Sequence, residues 1–307
     1  MTTPAIMLGL LTLPALLVRV LARISGQGFP DLSSPACAGL ASVLSFTGLG
    51  HFIRTEALAQ MLPDWVPAPT PLIYVTGVVE LSLAALVLRR QTREAAGWAI
   101  LVMLLLFLPV NVYAAVSHVG PGGHQWGPIY LLIRVPLQAI LIGWTWWFAV
   151  RPYAGSPISF SCRATLALEP VEIANQILDT GNWTDFTGYG PLPGIALAEF
   201  EVRTPDVVGS RILVQNRDGS RHVEEILEWA PDRRLKLRLH EFSPPMSRLA
   251  KWIDETWEFR AVNGTTRVTR TLDIENRSIL SRAPLLLISQ LLKRAIARHL
   301  KQMRSDR

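Results

Sequence analysis

Glu80 lies inside an unbroken apolar run, residues 72–88, and Arg134 lies inside a second, residues 128–150. An ionisable side chain deep in hydrocarbon is costly, so it faces a bundle interior, finds a polar partner and marks a functional pathway. Opposite charges in two such runs predict a Glu80–Arg134 pair, acting as interhelical glue or as part of a site for a ligand or redox partner. A second polar set stands in the other half of the chain. There Glu225, Glu255 and Arg270 each interrupt an alternating apolar pattern, beside Trp229 and Trp257. Two carboxylates and a guanidinium so placed would hold the polar head of a ligand, or do acid/base chemistry if burial raises a carboxyl pKa. The alternatives are a structural ion network, or a strand read one residue out of register, since such a slip reverses its faces. His222 and His240 fall on the opposite, solvated face and are not expected to be catalytic.

Composition divides the chain that must position these residues. The protein has 307 residues and a formal charge of +6; its first 150 residues hold 7 Lys/Arg and 5 Asp/Glu, and the remainder holds 23 and 19. Charge so unevenly spread implies two domains with different solvents. The second half is long enough to bury its own core. Two cysteines, Cys37 and Cys162, are too few for a disulfide framework or a zinc site, and fit a reducing compartment for the soluble half.

Five apolar runs have the length of membrane spans: 5–21, 36–52, 72–88, 95–116 and 128–150. The first lacks a basic n-region and a clean cleavage site, so it is read as an extra span, with a signal-like anchor or an interfacial helix as alternatives. Arg19 and Arg23 follow the first run and Arg89, Arg90 and Arg93 the third, whereas residues 62–71 and 119–127 contain no Lys or Arg. The positive-inside tendency then puts the N-terminus outside and everything after residue 150 in the cytoplasm, as in a multi-pass protein of a cell (inner) membrane. Trp65, Trp126, Trp144, Trp146 and Trp147 fall near run ends, where aromatic belts sit. At 1.5 Å rise per residue, Glu80 lies roughly 12 Å, Arg134 roughly 9 Å and Asn111 roughly 7 Å below the outer edge. With His51 shallower and Gln138 one turn below Arg134, these five residues form a polar layer in the outer leaflet.

The segments GLGHFIRTEALAQMLPDWVPAP, YVTGVVEL, FLPVNVYAAV and IRVPLQAILI occur in that order over about residues 37–150. This stretch resembles DoxX-like membrane proteins through its His-Phe, Gly-x-x-Glu, Pro-x-Asn and Arg-x-Pro-x-Gln elements. The resemblance implies a four-helix membrane bundle with His51, Glu80, Asn111, Arg134 and Gln138 at its motif positions. It also implies, for some members, a link to quinone-coupled sulfur oxidation or membrane redox complexes. The run at 5–21 departs from the four-helix pattern.

After a turn-rich linker, residues 151–157, the period changes. Residues 158–168 alternate as a strand, Pro170 opens a helix towards residue 178, and a short helical piece follows at 183–186. Strand-like runs come at 196–203, 210–215, 221–229, 234–242, 253–261 and 266–275, and a long helix, 281–303, closes the chain. Asp218-Gly219 and Asn263-Gly264 are hairpin turn signals. Alternation puts Leu235, Leu237 and Leu239 on one inward face, Ile253, Glu255, Trp257 and Phe259 on another, Val268, Arg270, Leu272 and Ile274 on a third, and Val223, Glu225, Leu227 and Trp229 on a fourth.

This order, with VGSRILVQNRDGS, EEILEW and LLISQLLKRAIARHL, is similar to the START-like or SRPBCC superfamily and its polyketide cyclase/dehydrase-type members, over about residues 158–304. The resemblance implies a curved sheet wrapped around a long helix, with an apolar cavity for a lipid, polyketide or other hydrophobic ligand. The expected organisation is therefore two-domain: an extra N-terminal helix and loop (1–35), an all-α transmembrane bundle (36–150), a linker, and an α+β START-like helix-grip domain (158–307). Lys293, Arg294, Arg298, Lys301 and Arg304 at the closing helix's end complement its dipole and could touch anionic lipid headgroups. No nucleotide-binding loop, Ser-His-Asp set or metal motif is present; GLG at 48–50 lacks the strand-turn-helix context. No cofactor is indicated by the residues, and a quinone is the one the resemblance admits. The expected partners are membrane lipids, a hydrophobic small molecule, and a redox-complex subunit or a second copy of the chain. Nucleic acid is not expected, because no aromatic-basic motif accompanies the charge.

Overall fold

The computed structural model describes residues 2–26, 28 and 30–305. The chain forms two compact units, Met1–Gly155 and Ser156–Arg307, the division implied by its charge distribution.

The first unit is helical: α1 (Thr2–Ile24), α2 (Ser33–Ile53), the short α3 (Thr55–Ala59), α4 (Pro69–Leu88), α5 (Arg93–Val116) and α6 (Leu131–Thr145). A 3-10 turn, His124–Tyr130, leads into α6, and a π turn, Trp146–Val150, extends it. Five helices are long and apolar enough to cross a membrane, yet none buries more than 44% of its most apolar stretch. Side chains such as Leu16, Val78, Leu106 and Leu132 therefore point outward.

Glycines let these helices approach closely. A Cβ on Gly39 would collide with the Leu11 carbonyl oxygen, which seats α1 directly on α2. A Cβ on Gly77 would lie 2.7 Å from the His51 Cβ, and one on Gly48 would lie 3.2 Å from the Glu80 Cβ, closing α2 onto α4. Met7 and Leu11 share a core with Cys37, Leu40, Leu83 and Ile100. The extra apolar run is thus a packed fifth helix of the bundle.

The second unit contains β1 (Ile158–Leu166), α7 (Pro170–Leu178), β2 (Ile195–Val202), β3 (Arg211–Asn216), β4 (Arg221–Ala230), β5 (Arg234–His240), β6 (Ala250–Val262), β7 (Thr265–Asn276) and α8 (Arg282–Ser305). All strand pairs are antiparallel, in the order β1-β7-β6-β5-β4-β3-β2. Local chemistry accounts for the boundaries. Pro170 starts α7, where Glu169 and Glu172 form a reciprocal capping box. Gly219 (φ 83°), and Asn263 with Gly264 (φ 49° and 73°), supply the positive φ of two tight hairpins. Leu166, Ile212, Leu235 and Ile274 on the sheet pack with Leu285, Ile296 and Leu300 of α8. This is a curved antiparallel sheet gripping a long C-terminal helix, the START-like helix-grip architecture. The basic end of α8 is described up to Lys301; the Arg304 side chain lies outside the described residues.

At the cavity, β4 departs from strict alternation. β4 faces β5 through Glu225↔Arg238 and Ile226↔Leu237, then through Glu228↔Lys236 and Trp229↔Leu235, with a bulge at Leu227. The extra residue reverses the phase of the strand. His222, Glu224, Ile226 and Trp229 face inward, while Glu225 faces outward. The expectation for Glu225, and with it the solvated placement of His222, is corrected by this bulge.

Candidate ligand cavity and polar layer of the helical unit

Between the inner face of the sheet, α7 and α8 lies a cavity of about 700 Å³. Its wall is mostly apolar, with Ile177, Phe186, Leu239, Leu272, Ile288 and Leu292 contributing from all three sides. Cavities of this size, apolar with a few converging polar groups, suit small-molecule binding.

The polar groups form two clusters. In the first, Arg270 Nε lies 2.6 Å from Glu255 Oε1, and Arg270 Nη2 donates to Glu255 Oε2 at 3.1 Å. The Trp257 indole N–H also donates to Glu255, and the guanidinium lies over the Trp257 ring, 4.5 Å from its centroid. Arg270 Nη1 reaches His299 Nδ1 at 3.3 Å. Burial, with the Arg270 charge beside it, pushes the His299 pKa down to about 4. In the second cluster, His222 Nε2 lies 3.1 Å from Glu224 Oε1, both residues buried. All of these residues line the cavity.

Register explains what alternation captured. Glu255, Trp257 and Arg270 lie on β6 and β7, whose pairing runs unbroken from Trp252↔Glu275 to Val262↔Thr265, so period two places them correctly on the inner face. Trp229 shares a row with Leu235, Trp257 and Arg270 and packs half-buried against the core, away from the cavity lining. Glu225 sits on the outer face, 3.5 Å from His240 Nε2. Sequence reasoning missed His222, Glu224 and His299. The signal for His299 was its spacing, three residues after Ile296 and seven after Leu292, which puts it on the inward stripe of α8.

In the helical unit the polar layer is assembled differently from the expectation. Glu80 is buried; its Oε1 lies 3.5 Å from His51 Nε2, and Thr47 donates to its Oε2 at 2.5 Å. His51 Nδ1 in turn contacts Ile73 O at 3.0 Å and Thr76 Oγ1 at 2.9 Å. Among the described residues no ion pair joins Glu80 to Arg134, whose Nε is buried without a hydrogen-bond partner. Matching depth had paired them, but the α2–α4 approach through Gly48 and Gly77 turns Glu80 towards α2. Thr47 and His51, four apart on one face, meet it there. Asn111 Nδ2 donates to Phe107 O at 2.8 Å, and Gln138 Nε2 to Leu104 O at 2.6 Å, leaving Gln138 Oε1 buried without a hydrogen-bond partner among the described residues. Trp65, Trp126 and Trp147 are exposed, whereas Trp144 turns inward and donates to Ala36 O at 3.0 Å.

Comparison with known proteins places the two units separately. A family described as a domain of unknown function, DUF8561, matches residues 40–149. No curated protein matches the chain. Among solved structures, a START superfamily protein from Mycobacterium smegmatis is similar at 12% identity, over 47% of this chain and 98% of its own, with a TM-score of 0.35. Ginseng major latex-like protein 151 from Panax ginseng is similar at 15% identity, over 49% and 99%, with a TM-score of 0.38. A protein from Thermus thermophilus is similar at 17% identity, over 48% and 94%, with a TM-score of 0.38. The helix-grip assignment of the second unit stands on its own strand order and closing helix.

Proposed function

We propose that this protein binds a predominantly apolar small molecule, of lipid, quinone or polyketide size, in the cavity of its second unit, and captures or hands over that molecule at a membrane. The observation that carries this reading is the apolar-walled cavity of about 700 Å³ with its two converging polar clusters. In the same reading the first unit is a DoxX-like bundle in a bacterial inner membrane. Support comes from five apolar helices with outward-facing Leu and Val side chains. The Arg-bearing loops argue for a cytoplasmic second unit.

A second reading is favoured by one specific contact. His222 bonded to Glu224 inside an apolar cavity is the arrangement of a general base held by a carboxylate, and supports cyclase/dehydrase-like proton transfer on a bound substrate. An accessory role in a quinone-linked membrane redox complex draws support from the unpartnered Arg134 Nε and Gln138 Oε1, groups that a partner or quinone oxygen and donor would satisfy.

Native mass spectrometry of the full chain in lipid nanodiscs tests the binding reading. The wild type is expected to retain a defined apolar adduct, and Leu292→Trp, which fills the cavity, is expected to lose it while keeping its annular lipids. An adduct that survives Leu292→Trp unchanged, or no adduct in the wild type, would overturn the assignment of the cavity. Turnover lost in Glu224→Gln with the adduct retained would favour the enzymatic reading.

A further inference from the structure

The first polar cluster defines the kind of ligand head that the cavity accepts, given the binding reading above. Arg270 and Glu255 already neutralise each other at 2.6 and 3.1 Å. A carboxylate or phosphate bound beside them would face Glu255, and an ammonium would face Arg270. Beside this pair either would bring in a net charge that neither partner is free to neutralise, at a large desolvation cost.

The geometry also settles the tautomer of His299. A guanidinium only donates, so the 3.3 Å contact from Arg270 Nη1 makes His299 Nδ1 the acceptor. The ring proton of the neutral imidazole is therefore on Nε2. With its pKa held at about 4, the ring is neutral at physiological pH. Among the described residues Nε2 has no hydrogen-bond acceptor, and His299 lines the cavity with the edge-on Phe186 ring 5.8 Å away. A neutral, fixed N–H donor beside an aromatic wall asks for an acceptor oxygen.

We infer that the ligand is uncharged at its polar end and presents a carbonyl oxygen, as in a ketone, quinone or ester, to the Nε2–H of His299. His299 is the specificity-determining residue of the cavity, and the Glu255–Arg270 pair is the device that fixes its tautomer and repels charged heads.

Photoreactive chains of equal length, ending in a methyl group, a methyl ketone, a carboxylate or a trimethylammonium, test this on the full chain in phosphatidylcholine nanodiscs. Cross-linked peptides from β6, β7 and α8 are quantified by mass spectrometry. The ketone is expected to label the cavity severalfold more than any of the other three. His299→Leu is expected to bring the ketone down to the level of the methyl-terminated probe measured in the same variant, and His299→Gln, which keeps an N–H donor, to restore part of the preference. The wild-type series reads the head preference without relying on any variant's folding. Carboxylate or ammonium labelling equal to the ketone, or a ketone preference that persists in His299→Leu, overturns the inference while leaving the binding reading standing. No cavity labelling by any probe, the methyl-terminated one included, overturns both.

Discussion

His51 Nε2 lies 3.5 Å from Glu80 Oε1, whereas Arg134, at matching depth on another helix, makes no ion pair with Glu80. Energetic coupling should follow the contact and not the depth. In a double-mutant cycle, His51→Leu and Glu80→Leu are expected to couple by about 0.5–1.5 kcal/mol, the range of polar contacts between membrane helices. Arg134→Leu and Glu80→Leu are expected to couple less than that pair. Unfolding of the bundle in mixed micelles measures both, and a larger Arg134–Glu80 coupling would contradict the arrangement.

The depressed pKa of His299, about 4 against an ordinary 6.5, has a stability consequence of definite sign. The unfolded chain takes up this proton below pH 6.5, whereas the folded one takes it up only near pH 4. The stability of the second unit therefore falls as pH drops through that window. At about 1.4 kcal/mol per pKa unit, the loss is on the order of 3 kcal/mol. Thermal unfolding from pH 7.5 to 4.5 should show a steeper decline for the wild type than for His299→Leu, in which this proton uptake is absent. Equal slopes would place the imidazole in solvent.

The bulge at Leu227 separates two neighbouring glutamates. Glu224 is buried at the cavity beside His222, and Glu225 is on the outer face beside His240. Glu224→Gln is expected to change cavity labelling by apolar probes severalfold, and Glu225→Gln to leave it within error. The reverse result would mean that β4 alternates without a bulge.

Gly39 sets the approach of α1 to α2, because a Cβ there would collide with Leu11 O. Gly39→Ala is expected to destabilise the bundle by about 1–3 kcal/mol, the scale of overpacking. Gly50→Ala, on the same helix with open space around it, is the control and should cost little. Comparable losses in the two variants would show that α1 is not seated on α2 in this way.

The sequence alone determined what depends on local chemistry and on simple periodicity. Five apolar runs marked five helices, period two marked the strands, and Asp218-Gly219 and Asn263-Gly264 marked two hairpins whose turns need positive φ. Glu255, Trp257 and Arg270 were legible because β6 and β7 alternate without interruption from Trp252↔Glu275 to Val262↔Thr265. Tertiary structure decided the rest. Hydrophobicity fixes how deep a residue sits in a span but says little about its direction around the helix axis, so the close approach at Gly48 and Gly77 gave Glu80 to His51 and, among the described residues, left it without an ion pair to Arg134. A single bulged residue leaves almost no trace in composition, yet it exchanged Glu225 for Glu224 at the cavity. His299 meets Arg270 across 29 residues of chain, a contact made when α8 packs into the sheet, and that packing turns a histidine on an amphipathic helix into a neutral donor of fixed tautomer.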